Sequence, residues 1–309
     1  MEPLQTTYRP RGPLDLRATV GCLQRGPGDP TQRLSGGVIW RAMRTPSGLA
    51  TLALTQQGDG SVRAAAWGSG SGWAIAQVPS LCGARDSLEG FDASLHPLIH
   101  DTFRRHGALR LTRSDLPFDA FAQAVIEQKV TVRQAFRVWR RVVTWHGERA
   151  PGPVVMFAPP APSTWRAIPS WSWHRAGLEP PQAKTLVAAA ARADAVDRAV
   201  RWRATDAAVA GAPPSRDPLL SFAGVGPWTA AEARIRALGD PDAVSVGDFH
   251  LAHHVGYALV GSRVDDQGML ELLEPWRGHR QRVIRLIMAS GAREPRRALR
   301  LHEEDHTAR

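Results

Sequence analysis

The chain has 309 residues, of which 43% are hydrophobic and 22% charged, and this composition excludes a disordered or collagen-like protein. At roughly 150 residues per domain, the length predicts about two domains. The formal net charge of +10 is compatible with a nucleic-acid partner. Nearly all of the basic residues are arginine, however, and a GC-rich genome also produces an excess of arginine over lysine.

Several classes of protein are excluded by what the sequence lacks. No apolar run approaches the roughly 18–20 residues of a membrane-spanning helix, and the opening MEPLQTTYRPRG is unlike a signal peptide. The two cysteines, Cys22 and Cys82, are too few for a four-thiolate zinc site, an iron–sulfur cluster or a disulfide framework. We therefore expect a cytoplasmic protein with no membrane association.

The first 80 residues have a pattern typical of β-structure. Short segments at 33–40, 49–54 and 62–67 alternate partly between apolar and polar residues, and the turn clusters TPSG and QQGDG separate them. We predict a small N-terminal α+β domain over residues 1–100.

From about residue 90 the apolar residues recur at helical spacing. The pattern predicts helices around 118–126 and 136–143, a proline-rich surface loop over 148–164, and an alanine-rich helix over 181–202 that GAPPSRDP ends. We predict a helical region over residues 101–290 with two subdomains, and a flexible charged tail over 291–309.

The most informative stretch is LLSFAGVGPWTAAEARIRALGDPDAVSVGDFHL, residues 219–251. Gly224 and Gly226 permit a tight turn with positive φ, and Pro227 suits the first position of a new helix. Backbone amides of such a turn, at a helix N-terminus, form an anion site that a DNA phosphate would fit. Taken alone, the same residues also fit an ordinary glycine-capped connection between two helices.

This hairpin, with its glycine-containing loop and an aspartate twenty residues after Trp228, resembles the helix–hairpin–helix (HhH-GPD) DNA glycosylase superfamily. The similarity is greatest to the DNA-3-methyladenine glycosylase II branch, and it continues in FDAFAQAVIEQKVTVRQAF (118–136) and LLEPWRGHRQRVIRLIM (272–288). It covers about residues 8–290, more weakly in the N-terminal part. The implied fold class is α+β: mostly α-helical HhH-GPD glycosylase domains preceded by a small β-containing domain, with a DNA cleft between the helical subdomains.

The resemblance implies that Asp248 is the catalytic carboxylate. A carboxylate beside the sugar can stabilise the positive charge that develops as the base departs, and it can orient a water. Asp240 and Asp242 are rivals in sequence, but GDPD reads as a turn, and Asp248 could also cap the following helix. Relatives that cut the strand carry a lysine where this chain has Trp228, so the resemblance implies a monofunctional enzyme that leaves an abasic site.

The expected base pocket departs from the family. Trp228 retains one pocket aromatic, but Glu232 stands where a tyrosine is expected and Arg285 where the final helix should carry a tryptophan. If Glu232 and Arg285 face each other, they could form an ion pair or recognise a different lesion. Otherwise Phe249, or one of the tryptophans of PSWSWHR, Trp171 and Trp173, could supply the aromatic wall.

The remaining contacts concern DNA. We expect phosphate binding at Gly224, Val225, Gly226 and Thr229, and filling of the vacated base stack by Gln128 and Lys129; a solvated helix-end lysine is equally compatible with the pattern. We expect no cofactor other than a monovalent cation that the hairpin could hold. The histidines at 250, 253 and 254 do not predict a metal site, and the basic residues Arg277, His279, Arg280 and Arg282 could meet phosphates or lie on a solvated surface.

Together these features predict a monomeric DNA glycosylase that acts in base excision repair on double-stranded DNA containing a damaged base, an alkylated purine first, at the bacterial nucleoid. One alternative is a non-catalytic DNA-binding protein with the same hairpin. Another is a glycosylase for deaminated, oxidised or bulky alkyl purines.

Overall fold

The computed structural model describes residues 2–202 and 217–294, and about half of the chain is helical. The seven strands of the described residues are β1 (Leu4–Tyr8), β2 (Gln32–Ser35), β3 (Val38–Thr45), β4 (Gly48–Gln56), β5 (Val62–Trp67), β6 (Glu148–Arg149) and β7 (Phe157–Ala158). The α-helices are α1 (Leu16–Val20), α2 (Ser71–Leu81), α3 (Pro97–His106), α4 (Pro117–Ile126), α5 (Val132–His146), α6 (Pro162–Ala167), α7 (Ser170–Ala176), α8 (Pro180–Ala190), α9 (Ala193–Arg201), α10 (Pro227–Leu238), α11 (Leu251–Val260), α12 (Asp266–Leu273) and α13 (Arg280–Ser290). This confirms the predicted α+β class.

The N-terminal strands form one antiparallel sheet in the order β1-β5-β4-β3-β2. The prediction of a single strand over 33–40 was wrong. Gly36 and Gly37 both have positive φ and turn the chain, so that β2 and β3 form a hairpin with Ser35 opposite Val38. One face of the sheet and helix α2 share an apolar core that includes Leu52, Val62 and Val78.

The helices enclose two further apolar cores. One gathers α4–α10 around Trp139, Trp165 and Phe121, and the other gathers α3 with α11–α13 around Ile99 and Met269. The chain passes from the first core to the second through residues 239–250, which follow α10 and carry Asp248. The candidate site therefore lies on the connection between two separately packed groups of helices.

Several boundaries differ from the predictions. The alanine-rich helix is broken at Arg192, whose φ of −132° is not helical, into α8 and α9. The segment 148–164 is more ordered than a surface loop, because β6 and β7 pair within it and Met156 is buried. Most of GAPPSRDP and of the predicted tail lies outside the described residues. No helix among those described is both long and apolar enough to cross a lipid bilayer.

Candidate active site

The hairpin (residues 222–226) precedes α10. Gly224 has a φ of +80°, and a Cβ added there would lie 2.2 Å from the Thr185 hydroxyl oxygen, so two separate constraints require glycine. Thr185 on α8 donates its hydroxyl to the Ala223 carbonyl at 3.1 Å. Gly226 differs, since no atom lies within 4 Å of its added Cβ. The hairpin is therefore fixed on one side by α8 and open beside Gly226.

The backbone amides of the hairpin are not equivalent. Val225 donates its amide to the Phe222 carbonyl at 3.0 Å, which removes it as a phosphate donor in this conformation, contrary to the prediction. Thr229 is 2% exposed and accepts a hydrogen bond from Gln128, so its side chain also does not face outward. Within the described residues the amides of Gly224 and Gly226 have no protein partner, and they are free to donate hydrogen bonds at the start of α10.

The tip loop (residues 127–131) joins α4 to α5 and packs against this hairpin. The side-chain amide of Gln128 donates to the Gly224 carbonyl at 2.9 Å and to the Thr229 hydroxyl at 2.8 Å. Gln128 is thus bound to the hairpin, and the expectation that it fills a gap in DNA does not match its position. Lys129 is the exposed side chain of the loop, with a left-handed φ of +52° that is uncommon outside glycine.

Asp248 is partly buried where α11 begins. One carboxylate oxygen accepts the amides of His250 at 2.9 Å and Leu251 at 3.0 Å, which is the capping role that its sequence position also allowed. The other oxygen accepts the indole N–H of Trp228 at 3.1 Å. The structure therefore brings together the two residues that the sequence placed twenty positions apart, and three N–H donors orient the carboxylate.

The rival aspartates have structural partners. Asp242 forms an ion pair with Arg280 at 2.5 Å and also accepts the Gly278 and Arg280 amides. Burial acts to raise the pKa of Asp242, but the hydrogen bonds from Arg280 outweigh it and hold that pKa below its usual value. Asp240 accepts the Asp242 amide within the GDPD turn, as the sequence suggested.

Glu232 and Arg285 do not pair with each other. The Glu232 carboxylate accepts the Ser245 hydroxyl and pairs with Arg236 at 2.8 Å, one helical turn further along α10. Arg285 instead donates to the Ala18 carbonyl at 3.2 Å and borders a small recess that Cys22 and Gln281 also line. Of the two alternatives that the sequence left open, the ion pair is therefore absent, because each side chain has another partner.

The three side chains considered for the aromatic wall of the base pocket differ in exposure and position. Trp173 is 4% exposed and stacks on Trp165 at a centroid distance of 5.8 Å, so it belongs to the helical core. Phe249 is 76% exposed directly beside Asp248, and its ring meets that of His250 edge-on at 4.8 Å. Trp171 is also exposed, on the short helix α7. Of these three candidates, Phe249 is the one beside Asp248.

The basic residues near α13 do not form a free phosphate surface. They bind other parts of the protein: Arg277 pairs with Glu274, Arg280 with Asp242, Arg282 with Asp86, and His279 bonds the Glu89 carbonyl. The adjacent His254 bonds the Ala292 carbonyl at 2.7 Å. Within residues 2–202 and 217–294, no cluster of three His, Cys, Asp or Glu side chains could hold a metal ion.

Sequence reasoning missed the residues that support the site from behind. Gln182 donates to the Gln128 carbonyl at 2.7 Å, and Thr185 holds the hairpin, both from α8. Ser245 bonds Glu232, while Arg236 also pairs with Glu127 at the root of the tip loop. A polar residue in an alanine-rich helix, such as Gln182, is a weak signal of such a role. For the others the sequence carries none, because their partners lie far away along the chain.

Comparison with known proteins gives matches in structure and not in sequence: no protein-family model and no curated protein sequence matches the chain. A 3-methyladenine DNA glycosylase from Archaeoglobus fulgidus matches with a TM-score of 0.76 at 15% identity, over 92% of this chain and 98% of that one. An 8-oxoguanine glycosylase/lyase from Clostridium acetobutylicum matches with a TM-score of 0.71 at 12% identity, over 94% and 99%.

A 3-methyladenine DNA glycosylase from Schizosaccharomyces pombe, solved in complex with abasic DNA, matches with a TM-score of 0.51 at 16% identity, over 63% of this chain and 92% of that one. These identities are low, but the first two alignments span nearly the whole of both chains. The likeness of architecture therefore extends beyond the hairpin to the sheet and both groups of helices, and the chain has the fold of the helix–hairpin–helix DNA glycosylases.

Proposed function

We propose that this protein is a DNA glycosylase of base excision repair, which hydrolyses the bond between a damaged base and its deoxyribose in duplex DNA. The observation that carries the proposal is the setting of Asp248. Its carboxylate lies at the N-terminus of α11 and accepts the indole N–H of Trp228, which follows by two residues a hairpin whose free amides can hold a phosphate.

The chemistry assigned to Asp248 follows from the charges in the reaction. When the C1′–N bond breaks, its electron pair leaves with the base and positive charge develops on the sugar. A fixed carboxylate stabilises that charge better than water does, because its orientation is already set by the indole and the two amides. A water then adds to C1′ and loses a proton, and we assign the carboxylate as the acceptor of that proton.

Binding of duplex DNA is assigned to the hairpin and the tip loop. The amides of Gly224 and Gly226 would hold one phosphate, and the Lys129 side chain would enter the space that the flipped nucleotide leaves. Phe249, exposed beside Asp248, would contact the extruded base. The monovalent cation at the hairpin remains a proposal: the carbonyls of Phe222, Ala223 and Gly224 each accept one internal hydrogen bond and keep a second lone pair, and no step of the reaction depends on the ion.

We assign the enzyme to the monofunctional class, which leaves an intact strand with an abasic site. Strand cleavage by a glycosylase requires an amine that attacks C1′. The residue that bonds the catalytic carboxylate here is Trp228, whose indole is not a nucleophile. A neighbour in fold is described as a glycosylase/lyase, so this assignment requires a direct test.

The substrate class proposed is a damaged purine, with alkylated purines first. The first structural match carries the name 3-methyladenine glycosylase, and an electron-poor alkylated base suits an exposed aromatic such as Phe249. The second match is named for 8-oxoguanine, which makes oxidised purines the next class to examine.

A panel of duplexes, each with one alkylated, deaminated or oxidised purine, tests these assignments. Incubation with the protein should release the base from at least one duplex and leave a site that breaks only on alkali treatment. Strand breaks without alkali would overturn the monofunctional assignment. Release from an oxidised and not an alkylated purine would change the lesion class, and no release from any duplex would favour a DNA-binding protein without enzymatic activity.

Asp248→Asn tests the catalytic group on whichever duplex is cleaved. Asparagine caps helices about as well as aspartate, so the variant should fold and bind DNA while its excision rate falls by at least about 100-fold. Asp15→Asn is the matched control, because Asp15 caps α1 in the same way in the N-terminal part of the chain. An active Asp248→Asn enzyme would remove Asp248 from the mechanism.

A further inference from the structure

Glu232 lies on α10 one helical turn after Trp228, and both of its carboxylate oxygens are bound. One accepts the hydroxyl of Ser245, and the other pairs with Arg236 at 2.8 Å. The side chain is 19% exposed. A carboxylate with both oxygens committed in this way is turned toward the protein and away from an incoming base.

Ser245 begins the aspartate turn (residues 245–248). It is 3% exposed, and its carbonyl accepts the Asp248 amide at 3.3 Å. Gly247 within the turn has a φ of +89°, and its amide is held by Asp266 at 3.0 Å. Three hydrogen bonds thus fix the turn: the Ser245 hydroxyl donates to Glu232, the Gly247 amide to Asp266, and the Asp248 amide to the Ser245 carbonyl.

Arg236 connects Glu232 to a larger buried set of charges. It also pairs with Glu127, and Glu127 pairs with Arg25 at 3.0 Å. Burial alone would raise the pKa of Glu127, but Arg236 and Arg25 outweigh it and hold that pKa below its usual value. The charges of these two arginines and two glutamates therefore cancel. Glu232 is held by this network, which extends to Arg25 in the N-terminal part of the chain.

We propose that Glu232 is a positioning residue for the reaction: through the Ser245 hydroxyl it sets where the aspartate turn, and with it the Asp248 carboxylate, stands against Trp228. The excision-rate test of this proposal rests on the proposed function, whereas the test of the Asp248 position does not. It also replaces the assignment of Glu232 to the base pocket, because a group that acts through Ser245 does not touch the substrate.

Ser245→Ala is the cleanest test, since it removes one hydroxyl and leaves the Glu232–Arg236 pair in place. Displacement of a catalytic group by a fraction of an ångström costs rate and not affinity, so the single-turnover excision rate should fall by about 10-fold. Affinity for a duplex with a tetrahydrofuran abasic analogue should stay within about 2-fold of the wild type. Ser61→Ala is the matched control, because Ser61 is also buried and donates to a carboxylate, Asp59, at a turn of the N-terminal sheet.

A second readout does not require activity. The indole N–H of Trp228 is bonded to Asp248, so its nitrogen–proton NMR resonance reports the position of that carboxylate. The resonance, assigned with Trp228→Phe, should shift in Ser245→Ala and in Glu232→Gln but not in Ser61→Ala. The effects of Ser245→Ala and Glu232→Gln on rate should also be less than additive, because both change the same contact.

Three results would overturn the proposal. One is an unmoved Trp228 resonance in Ser245→Ala, which would stand even if the wild-type protein released no base from any duplex. Another is a wild-type excision rate in that variant. The third is a Glu232→Gln enzyme that loses affinity for the lesion duplex while its maximal rate is unchanged, because that pattern belongs to a residue that contacts the base. If Glu232→Gln fails to fold, Ser245→Ala alone decides.

Discussion

At the scale of single residues, the site depends on side chains that have two partners. Asp248 caps α11 with one oxygen and binds Trp228 with the other, and Gln128 bonds both the hairpin carbonyl and Thr229. The sequence predicted Asp248 and Trp228, since residue type and spacing are visible in the chain. It did not predict that Gln128 turns inward, because the direction of that side chain depends on the hairpin, whose Gly224 carbonyl lies 96 positions further along the chain.

The indole of Trp228 provides the first prediction. Trp228→Phe keeps an aromatic ring but removes the N–H that bonds Asp248, so the carboxylate loses one of its three orienting donors. We expect the excision rate to fall by about 10-fold with little change in affinity for abasic-analogue DNA, the usual size for a lost hydrogen bond to a charged group. Trp145→Phe, at an exposed position on α5, is the control in single-turnover assays. An unchanged rate in Trp228→Phe would mean that the indole does not orient the carboxylate.

At the scale of elements, the hairpin is built by helix α8 as much as by its own glycines. Gly-Val-Gly followed by proline predicted a turn and a helix start, and both are present. The packing of Thr185 against Gly224 could not be predicted, since 38 positions separate Thr185 from the carbonyl that it bonds at Ala223. The hairpin between β2 and β3 is a different case: Gly36 and Gly37 are a local turn signal, which the prediction of one strand over 33–40 overlooked.

The two glycines of the hairpin provide a matched pair of substitutions. Gly224→Ala must place a Cβ 2.2 Å from the Thr185 hydroxyl at a φ of +80°, so we expect unfolding to become easier by about 2–4 kcal/mol. Gly226→Ala has open space and an extended backbone, so its stability should change by less than about 1 kcal/mol. Urea unfolding of both variants measures the difference.

DNA affinity should respond to the substitution at Gly226, where stability hardly changes. If a phosphate approaches the amide of Gly226, a methyl group at this open position will hinder it, and affinity for abasic-analogue duplex should fall by about 10-fold although the protein stays folded. Wild-type affinity in Gly226→Ala would place the phosphate elsewhere on the protein.

At the scale of the whole molecule, much of the positive charge is used internally. Arg282 pairs with Asp86, Arg280 with Asp242, and Arg25 with Glu127, so these arginines join segments of the chain that are far apart in sequence. The net charge of +10 is therefore a poor guide to where DNA binds. For the basic residues near α13 the sequence left open a phosphate contact or a solvated surface, and neither describes Arg280 and Arg282, which are paired within the protein, while Lys129 at the tip loop is exposed.

Salt dependence tests which charges meet phosphate. The affinity for an abasic-analogue duplex should fall steeply with salt, with a slope of about −0.9 for each neutralised phosphate on a plot of log affinity against log salt. Lys129→Gln should reduce the slope by about one unit if its ammonium reaches a phosphate. Arg277→Gln should leave the slope unchanged, because Arg277 is paired with Glu274 in its own turn. A flattened slope in Arg277→Gln would restore that surface as a DNA contact.

Asp119 makes the stability of the fold depend on pH. It lies in the first turn of α4, and burial raises the pKa of its carboxyl to about 7, with Arg41 and Arg44 of β3 lowering it and Asp197 raising it further. Because the folded protein holds this proton more tightly than the unfolded chain, the contribution to stability is complete below about pH 4 and is lost as the pH rises through about 7.

Asp119→Asn removes this titration and should stabilise the protein at pH 8 relative to the wild type, by on the order of 2–4 kcal/mol, with a smaller difference at pH 5. Urea unfolding at the two pH values measures it, with Asp194→Asn on the exposed side of α9 as the control. A wild-type minus variant difference that stays constant between pH 5 and pH 8 would show that Asp119 is already ionised in the folded protein. The ionised Asp119 carboxylate of α4 would then be tolerated in its buried position, because the charges of Arg41 and Arg44 on β3 balance it.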